Sequence, residues 1–256
     1  MTDLSITMTI NGQAVSGSEA FDVENPATGK AFAKAPDCTQ AELDAAVAAA
    51  RAALPAWKAT PIAKRRELLN AMAGVIMQNL PELSRLLTRE QGKPHPDAEG
   101  DVGGGAFWLM ESSKHEIPEH VSEDSAERHA VTRYGPIGVV AAIVKPAPTT
   151  PLTTLRIGEL LRGVLPDGVL NVISGSDRLG PWLTAHPGVD KVSFTGSTQT
   201  GKKVMESAAH SLKRVTLELG GNDPAIVMPD VDVEKVAEDL FWAAFRNAGQ
   251  ICIATK

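Results

Sequence analysis

The sequence predicts an α/β protein: a Rossmann-like parallel sheet flanked by helices, preceded by a helical N-terminal region that carries a β-hairpin. Two observations predict it. From Ile137 onward, short Val/Ile-rich runs alternate with helix-length segments, and strands that alternate with helices build a parallel sheet covered on both faces. Before Tyr134 the apolar positions repeat mostly at helical spacing instead. At 256 residues and 43% hydrophobic content the chain can bury a substantial core.

The elements follow in order. LSITMTI, Asn11-Gly12 and QAV form a hairpin signal, because the Asn-Gly pair accepts the two positive-φ positions of a tight turn. Thr39-Gln-Ala-Glu42 is a capping box that opens an Ala-rich helix, followed by Pro55. Thr60-Pro61 caps a second helix, in which Ile62, Leu68, Leu69, Met72 and Ile76 recur at helical spacing. Gly103-Gly104-Gly105 argues against a regular helix there unless another backbone approaches closely. AERHAVTRY reads as a strand with a polar face. Beyond it come a strand at 137–144, a helix at about 152–164, the strand VLNVIS, a helix, the strand KVSFTG, a helix, the strands RVTLEL and AIVM, and a last helix. Phe241, Trp242 and Phe245 share the apolar side of that helix, which places them in a core.

Composition excludes several function classes. The net charge of −6 and the absence of like-charge blocks offer nothing to nucleic acid or an anionic membrane. The longest apolar run falls far short of the ~20 residues that span a bilayer, and the polar start is no signal peptide, so a cytoplasmic location is expected. Cys38 and Cys252 have neither metal nor disulfide spacing. Glu111 and His115 stand one helical turn apart but lack a third ligand, and His186 reads as a loop residue. No Ser-His-Asp motif is present.

In a parallel sheet, ligands bind beyond the carboxyl ends of the strands. The residues there are Lys145, Ser174-Gly175, Thr195-Gly196-Ser197 and Glu218-Leu219-Gly220-Gly221. Phe194-Thr-Gly-Ser-Thr-Gln-Thr-Gly201 leaves a strand and opens a helix, where free amides and the helix dipole suit a pyrophosphate. It matches neither GxGxxG nor the Walker pattern, and a plain turn with Ser197 or Thr198 as helix cap explains it as well. Glu218 reads either as a strand-end carboxylate or as an acid/base group. Cys252 reads either as a small buried hydrophobe or as a nucleophile. Cys38 reads as structural.

Taken jointly, FTGSTQTGK, LELGGNDPAIV and NAGQICIATK resemble the aldehyde dehydrogenase superfamily. The resemblance extends from ENPATGK through EIPEHVSEDSAERHAVTRYGPIGVVAAIV to the last residue, and covers about the first half of a family member. It implies NAD(P)-dependent oxidation of a small-molecule aldehyde to a carboxylic acid. Cys252 would be the nucleophile that forms a thiohemiacetal and then a thioester, and Glu218 the base that activates water. NAD or NADP would be held by Lys145, Gly196, Ser197, Thr198, Gly201 and Leu219, with no metal. The implied domains are an N-terminal region at 1–134, a dinucleotide-binding core at 135–249 and the start of a catalytic domain at 250–256. Family members form homo-oligomers partly through a tail strand that this sequence lacks, so that assembly is not expected here.

Two departures from the family pattern shape the expectation: a segment missing after Val144, and a stop at Lys256, just after the nucleophile, where family members continue through most of the catalytic domain. Val144 abuts Lys145 directly, where members carry a loop with an oxyanion-holding asparagine, a helix and a further strand before Lys-Pro. Loss of one oxyanion donor typically costs ~10²–10³ in rate. Little activity is therefore expected, with a nucleotide- or partner-binding pseudoenzyme and a thiol esterase as the other readings. Pro148 stands where the family often has a glutamate, which should let NADP be tolerated. Because AIV-Lys145-Pro146 imitates the missing strand, the run at 138–144 is expected to occupy that strand's slot beside VLNVIS, with Lys145 facing Ser197.

Overall fold

A computed structural model describes residues 5–143 and 149–255. The chain opens with hairpin β1 (Met8–Ile10) and β2 (Gln13–Val15), joined by Asn11 and Gly12 at φ of 52° and 73°. These are the positive-φ positions that the Asn-Gly pair predicts. A second hairpin, β3 (Ala20–Asn25) with β4 (Lys30–Pro36), leads into α1 (Gln40–Ala59), and Thr39 and Glu42 form the expected capping box. Pro55 lies inside α1 rather than after it. The acceptor that loses its amide is the carbonyl of Arg51, an exposed residue where water can substitute.

Three more helices complete the N-terminal layer: α2 (Ile62–Gln78), α3 (Leu80–Gln91) and α4 (His95–Lys114). Thr60 closes α1 through its Oγ1, which donates to Ala56 O at 2.9 Å, and α2 starts from Pro61 without a side-chain cap. α4 runs unbroken through Gly103-Gly104-Gly105 although no other backbone approaches them; a Cβ at any of the three would meet nothing within 4 Å. Packing overrides the propensity cost there, since Val102 and Ala106 share a buried cluster with Ala73, Ile76 and Leu83 of α2 and α3.

An exposed hairpin, β5 (His120–Asp124) with β6 (His129–Thr132), precedes the main sheet. That sheet has three parallel strands in the order β7 (Val140–Ile143), β8 (Lys191–Gly196), β9 (Arg214–Leu219). Between its strands run α5 (Leu152–Leu160), α6 (Leu179–Ala185) and α7 (Thr198–Ala209), and α8 (Val233–Phe245) follows. The core crosses from the first half of the chain to the second: Met8, Val23 and Leu43 pack with Ala141, Leu155 and Val192. Glu90, buried on α3, accepts the amides of Leu152 at 2.7 Å and Thr153 at 2.9 Å, so a residue of one layer caps a helix of the other.

As far as it is described, to Ile143, the run expected at 138–144 does not take the lost strand's slot. β7 pairs with β8, Val140 opposite Lys191 through Ile143 opposite Phe194. Its start is locked in place: Asp190 accepts the Val139 amide at 2.7 Å, and Val139 O accepts the amides of Asp190 and Lys191. Gly138, at φ 130°, is the residue that permits this, because a Cβ there would lie 2.0 Å from Asp190 Oδ2. Moving the strand would forfeit both the lock and the ladder.

VLNVIS is correspondingly not a sheet strand. Residues 169–174 form one antiparallel bridge with β1, in which Thr9 and Val172 exchange amides at 2.9 and 2.8 Å. Ser174 O accepts the Cys38 amide at 2.9 Å on the same side. Between this segment and β7 lies a cavity of about 1370 Å³, walled further by α1, α2 and α5. AIVM also forms no strand: nothing among the described residues pairs with it, and Ile226 is 82% exposed.

Candidate active site

The ladder between β8 and β9 assembles the candidate residues. Thr195 stands opposite Glu218 and Gly196 opposite Leu219, so both strands end at one level and release their loops side by side. Ser197 then caps α7: its Oγ accepts the Thr200 amide at 3.1 Å and bonds Thr200 Oγ1 at 2.9 Å. The plain helix-cap reading of Ser197 is thus realised. It leaves the amides of Thr198 and Gln199, in an exposed first turn, without a partner among the described residues.

Gly201 brings α7 down onto the end of β9. A Cβ at this buried position would sit 2.7 Å from Leu219 Cδ2, so a larger residue would push the helix N-terminus away from the strand ends. The result is a dipole end with free amides next to an exposed carboxylate, Glu218. Such an N-terminus accommodates an anionic diphosphate, and the chain's own residues therefore fit the pyrophosphate part of a dinucleotide. Lys145 and Pro148 lie outside the described residues.

Cys252 reaches this region by a different route. After α8, Arg246–Gly249 form a tight turn in which Asn247 and Ala248 leave helical geometry for left-handed backbone, at φ of 54° and 56°. The chain then doubles back, Thr255 donating its amide to Ala243 O at 3.1 Å and pairing in a parallel bridge with Asp223. That bridge tethers the Cys252 turn to the loop that follows Glu218. Cys252 is exposed, whereas Cys38 is fully buried with its thiol bonded to Thr39 O at 3.4 Å. Burial, with Glu42 and Asp37 nearby, pushes the Cys38 thiol up to about 12.

The structure thus brings together Gly196, Ser197, Thr198, Gly201, Glu218 and Leu219 at the sheet's carboxyl edge, with the Cys252 segment beside the following loop. Phe241, Trp242 and Phe245 are not in a core: α8 buries no residue, all three are more than half exposed, and Phe241 packs against the rings of Trp242 and Phe245. Their helical spacing identified an apolar face but could not say whether anything covers it. Glu111 pairs with Lys114, His186 closes α6 against Asp44, and no group of three metal-ligating side chains occurs among the described residues. The position-fixing role of Asp190 had no signal in the sequence.

The aldehyde dehydrogenase family model matches residues 14–144 and 141–256, as two pieces that meet at the end of β7. The chain is 44% identical to the "Probable aldehyde dehydrogenase" of Pseudomonas sp over 277 positions, covering 98% of this chain and 57% of that protein. It is 37% identical to the NADP(+) succinate-semialdehyde dehydrogenase GabD of Escherichia coli K12 over 279 positions, covering 96% and 58%. Among solved structures, P. syringae AldA, an indole-3-acetaldehyde dehydrogenase in complex with NAD+ and IAA, superposes with a TM-score of 0.94 at 32% identity, over 100% of this chain and 59% of that one. The chain therefore spans under three-fifths of the length of these relatives. With the family model matching nearly every residue and the strand-end motifs in place, the chain belongs to the aldehyde dehydrogenase family.

Proposed function

We propose that the carboxyl edge of β8 and β9 serves the NAD(P)-dependent oxidation of an aldehyde to its carboxylic acid. The observation that carries this reading is the ladder register that sets Gly196 beside Leu219 and Thr195 beside Glu218, with the Cys252 turn bridged to the next loop. Cys252, as thiolate, adds to the aldehyde carbon and forms a C–S bond, the carbonyl oxygen taking the negative charge. NAD or NADP, when bound, supplies the acceptor for the hydride that leaves that carbon. Glu218 then takes a proton from water, whose oxygen attacks the resulting thioester carbon; the C–S bond breaks, releasing the acid and the Cys252 thiolate. The first turn of α7, from Ser197, holds the diphosphate, and Gly201 and Leu219 keep that turn close to the strand ends.

Relatives named for NADP(+) and solved with NAD+ support either dinucleotide. The slot beside β7, which is open in this fold, removes one wall of the adenosine side, and the family's oxyanion asparagine has no counterpart. We therefore place turnover at least about 10²-fold below that of a family member. The test is a panel of aldehydes with NAD or NADP, with an ester substrate in parallel. Slow cofactor reduction that disappears in Cys252→Ser and falls at least tenfold in Glu218→Gln supports the assignment. Ester cleavage alone would make the chain a thiol esterase, and dinucleotide binding without either reaction would make it a binding protein.

A further inference from the structure

We propose that the cavity between β7 and residues 169–174 is a strand-acceptor site, which takes in trans one extended apolar peptide of the kind that the relatives carry where the two family-matched pieces of this chain meet. Three independent observations converge on it. The first is backbone polarity. Val139 O bonds the Lys191 amide, and in a parallel ladder successive residues face opposite sides, so residues 139, 141 and 143 address β8 while the amides and carbonyls of 140 and 142 face the cavity. Residues 169–174 are likewise bonded on one side, through Val172 to Thr9 and Ser174 to Cys38. Two strand-like edges, each satisfied on its outer side, therefore face one another across a gap.

The second observation is the gap's shape and lining. It measures about 1370 Å³, and the side chains around it are chiefly aliphatic, among them Leu54 of α1, Met72 and Ile76 of α2, and Leu155 and Ile157 of α5. An occupant with β-branched or aliphatic residues on both faces meets apolar walls on both, which is the requirement for a central strand of a parallel sheet. A charged peptide would bury its ionised groups without partners, and a glycine-rich one would leave the apolar walls unfilled.

The third is what the relatives possess. Their alignments run to 277 and 279 positions against a chain of 256 residues, so they carry residues that this chain lacks. The two family matches overlap at residues 141–144, where β7 ends, and Ala141, Ala142 and Ile143 of β7 line the cavity. The occupant is thus defined by location as well as by chemistry. Binding by strand addition gives affinity through main-chain bonds and specificity through alternate side-chain pockets.

The experiment uses the full 256-residue chain and a fluorescein-labelled synthetic peptide with the residues that the Pseudomonas sp relative carries opposite the 141–144 junction. Turnover is not read, so the outcome is separate from that of the proposed activity. Saturable one-to-one binding by fluorescence anisotropy is expected, with Tm rising by roughly 5–10 °C at peptide about a hundredfold above Kd. A scrambled peptide should bind at least tenfold more weakly, as should the parent peptide on Ala142→Pro, which removes an amide facing the cavity. Should Ala142→Pro not fold, a peptide N-methylated at two backbone amides gives the same comparison on the parent chain. Absence of saturable binding, equal binding of the scrambled peptide, or a slot already filled by the exposed Ile226 segment of a second copy, seen as a dimer that Ile226→Asp dissociates, would overturn the proposal.

Discussion

Cys38 and Cys252 are the same residue in opposite surroundings, and the contrast separates structure from chemistry at the scale of one side chain. Cys38 is buried beneath the start of α1, and its thiol, pushed to about 12, is ionised to roughly one part in 10⁵ at pH 7. Cys252 is exposed on the turn bridged to Asp223. A thiol-reactive dye added to the native chain should therefore modify one equivalent, lost in Cys252→Ser, and reach a second only in denaturant. Two equivalents under native conditions would show that Cys38 is not sealed. The sequence showed Cys252 because a motif surrounds it, and left Cys38 as structural for want of one. Glu90 was illegible by contrast: the amides it holds lie 62 and 63 residues away, and no local pattern encodes a contact of that range.

Among the elements, β8, α7 and β9 were legible to within a residue or two, since each joins a clear apolar period to a capping or glycine signal. The placement of β7 was not. Its apolar run suits either slot, and what decides is Asp190, 51 residues from the Val139 amide it accepts. Burial raises the Asp190 pKa, but the Arg51 guanidinium at 2.6 Å and the Val139 amide together hold it below the usual carboxylate range. A carboxylate with a depressed folded pKa binds its proton less tightly when folded than when unfolded. Its stabilisation is therefore present above the unfolded value of about 3.9 and is lost as pH falls through the lower folded value. Asp190→Asn keeps an oxygen for Val139 but loses the charge, and the ion pair is partly exposed, so the loss at pH 7 should be about 0.5–1 kcal/mol. In thermal melts, parent and variant should differ by roughly 1–4 °C at pH 7 and converge below about pH 4. A pH-independent difference would mean that the charge of Asp190 does not hold β7. Gly138→Ala, which forces a Cβ into that carboxylate, should cost more at every pH.

For the whole molecule, the fold class and the junction were legible because both are matters of segment order, whereas burial was not, because it depends on what each face meets. Phe241, Trp242 and Phe245 have the spacing of a core face, yet Trp242 is 59% exposed and Phe245 61%. Ile226, Met228, Val233 and Ile253 from the neighbouring stretches of chain are also more than half exposed. Bringing a Phe, Leu, Ile or Met side chain out of water is worth about 1.5–3 kcal/mol, so even partial cover of these groups outweighs the entropy of a weak encounter. Contiguous apolar surface on this scale drives association, and the chain's net charge of −6 opposes it only at low ionic strength. Sedimentation velocity should therefore show mass that rises with protein concentration and with salt. The double variant Phe241→Ser/Phe245→Ser lies on an exposed helix face that buries no residue, so it should fold as the parent does and shift the population to monomer. A parent that remains monomeric at high salt and tens of micromolar, or a double variant that associates as strongly, would show that some other surface governs assembly.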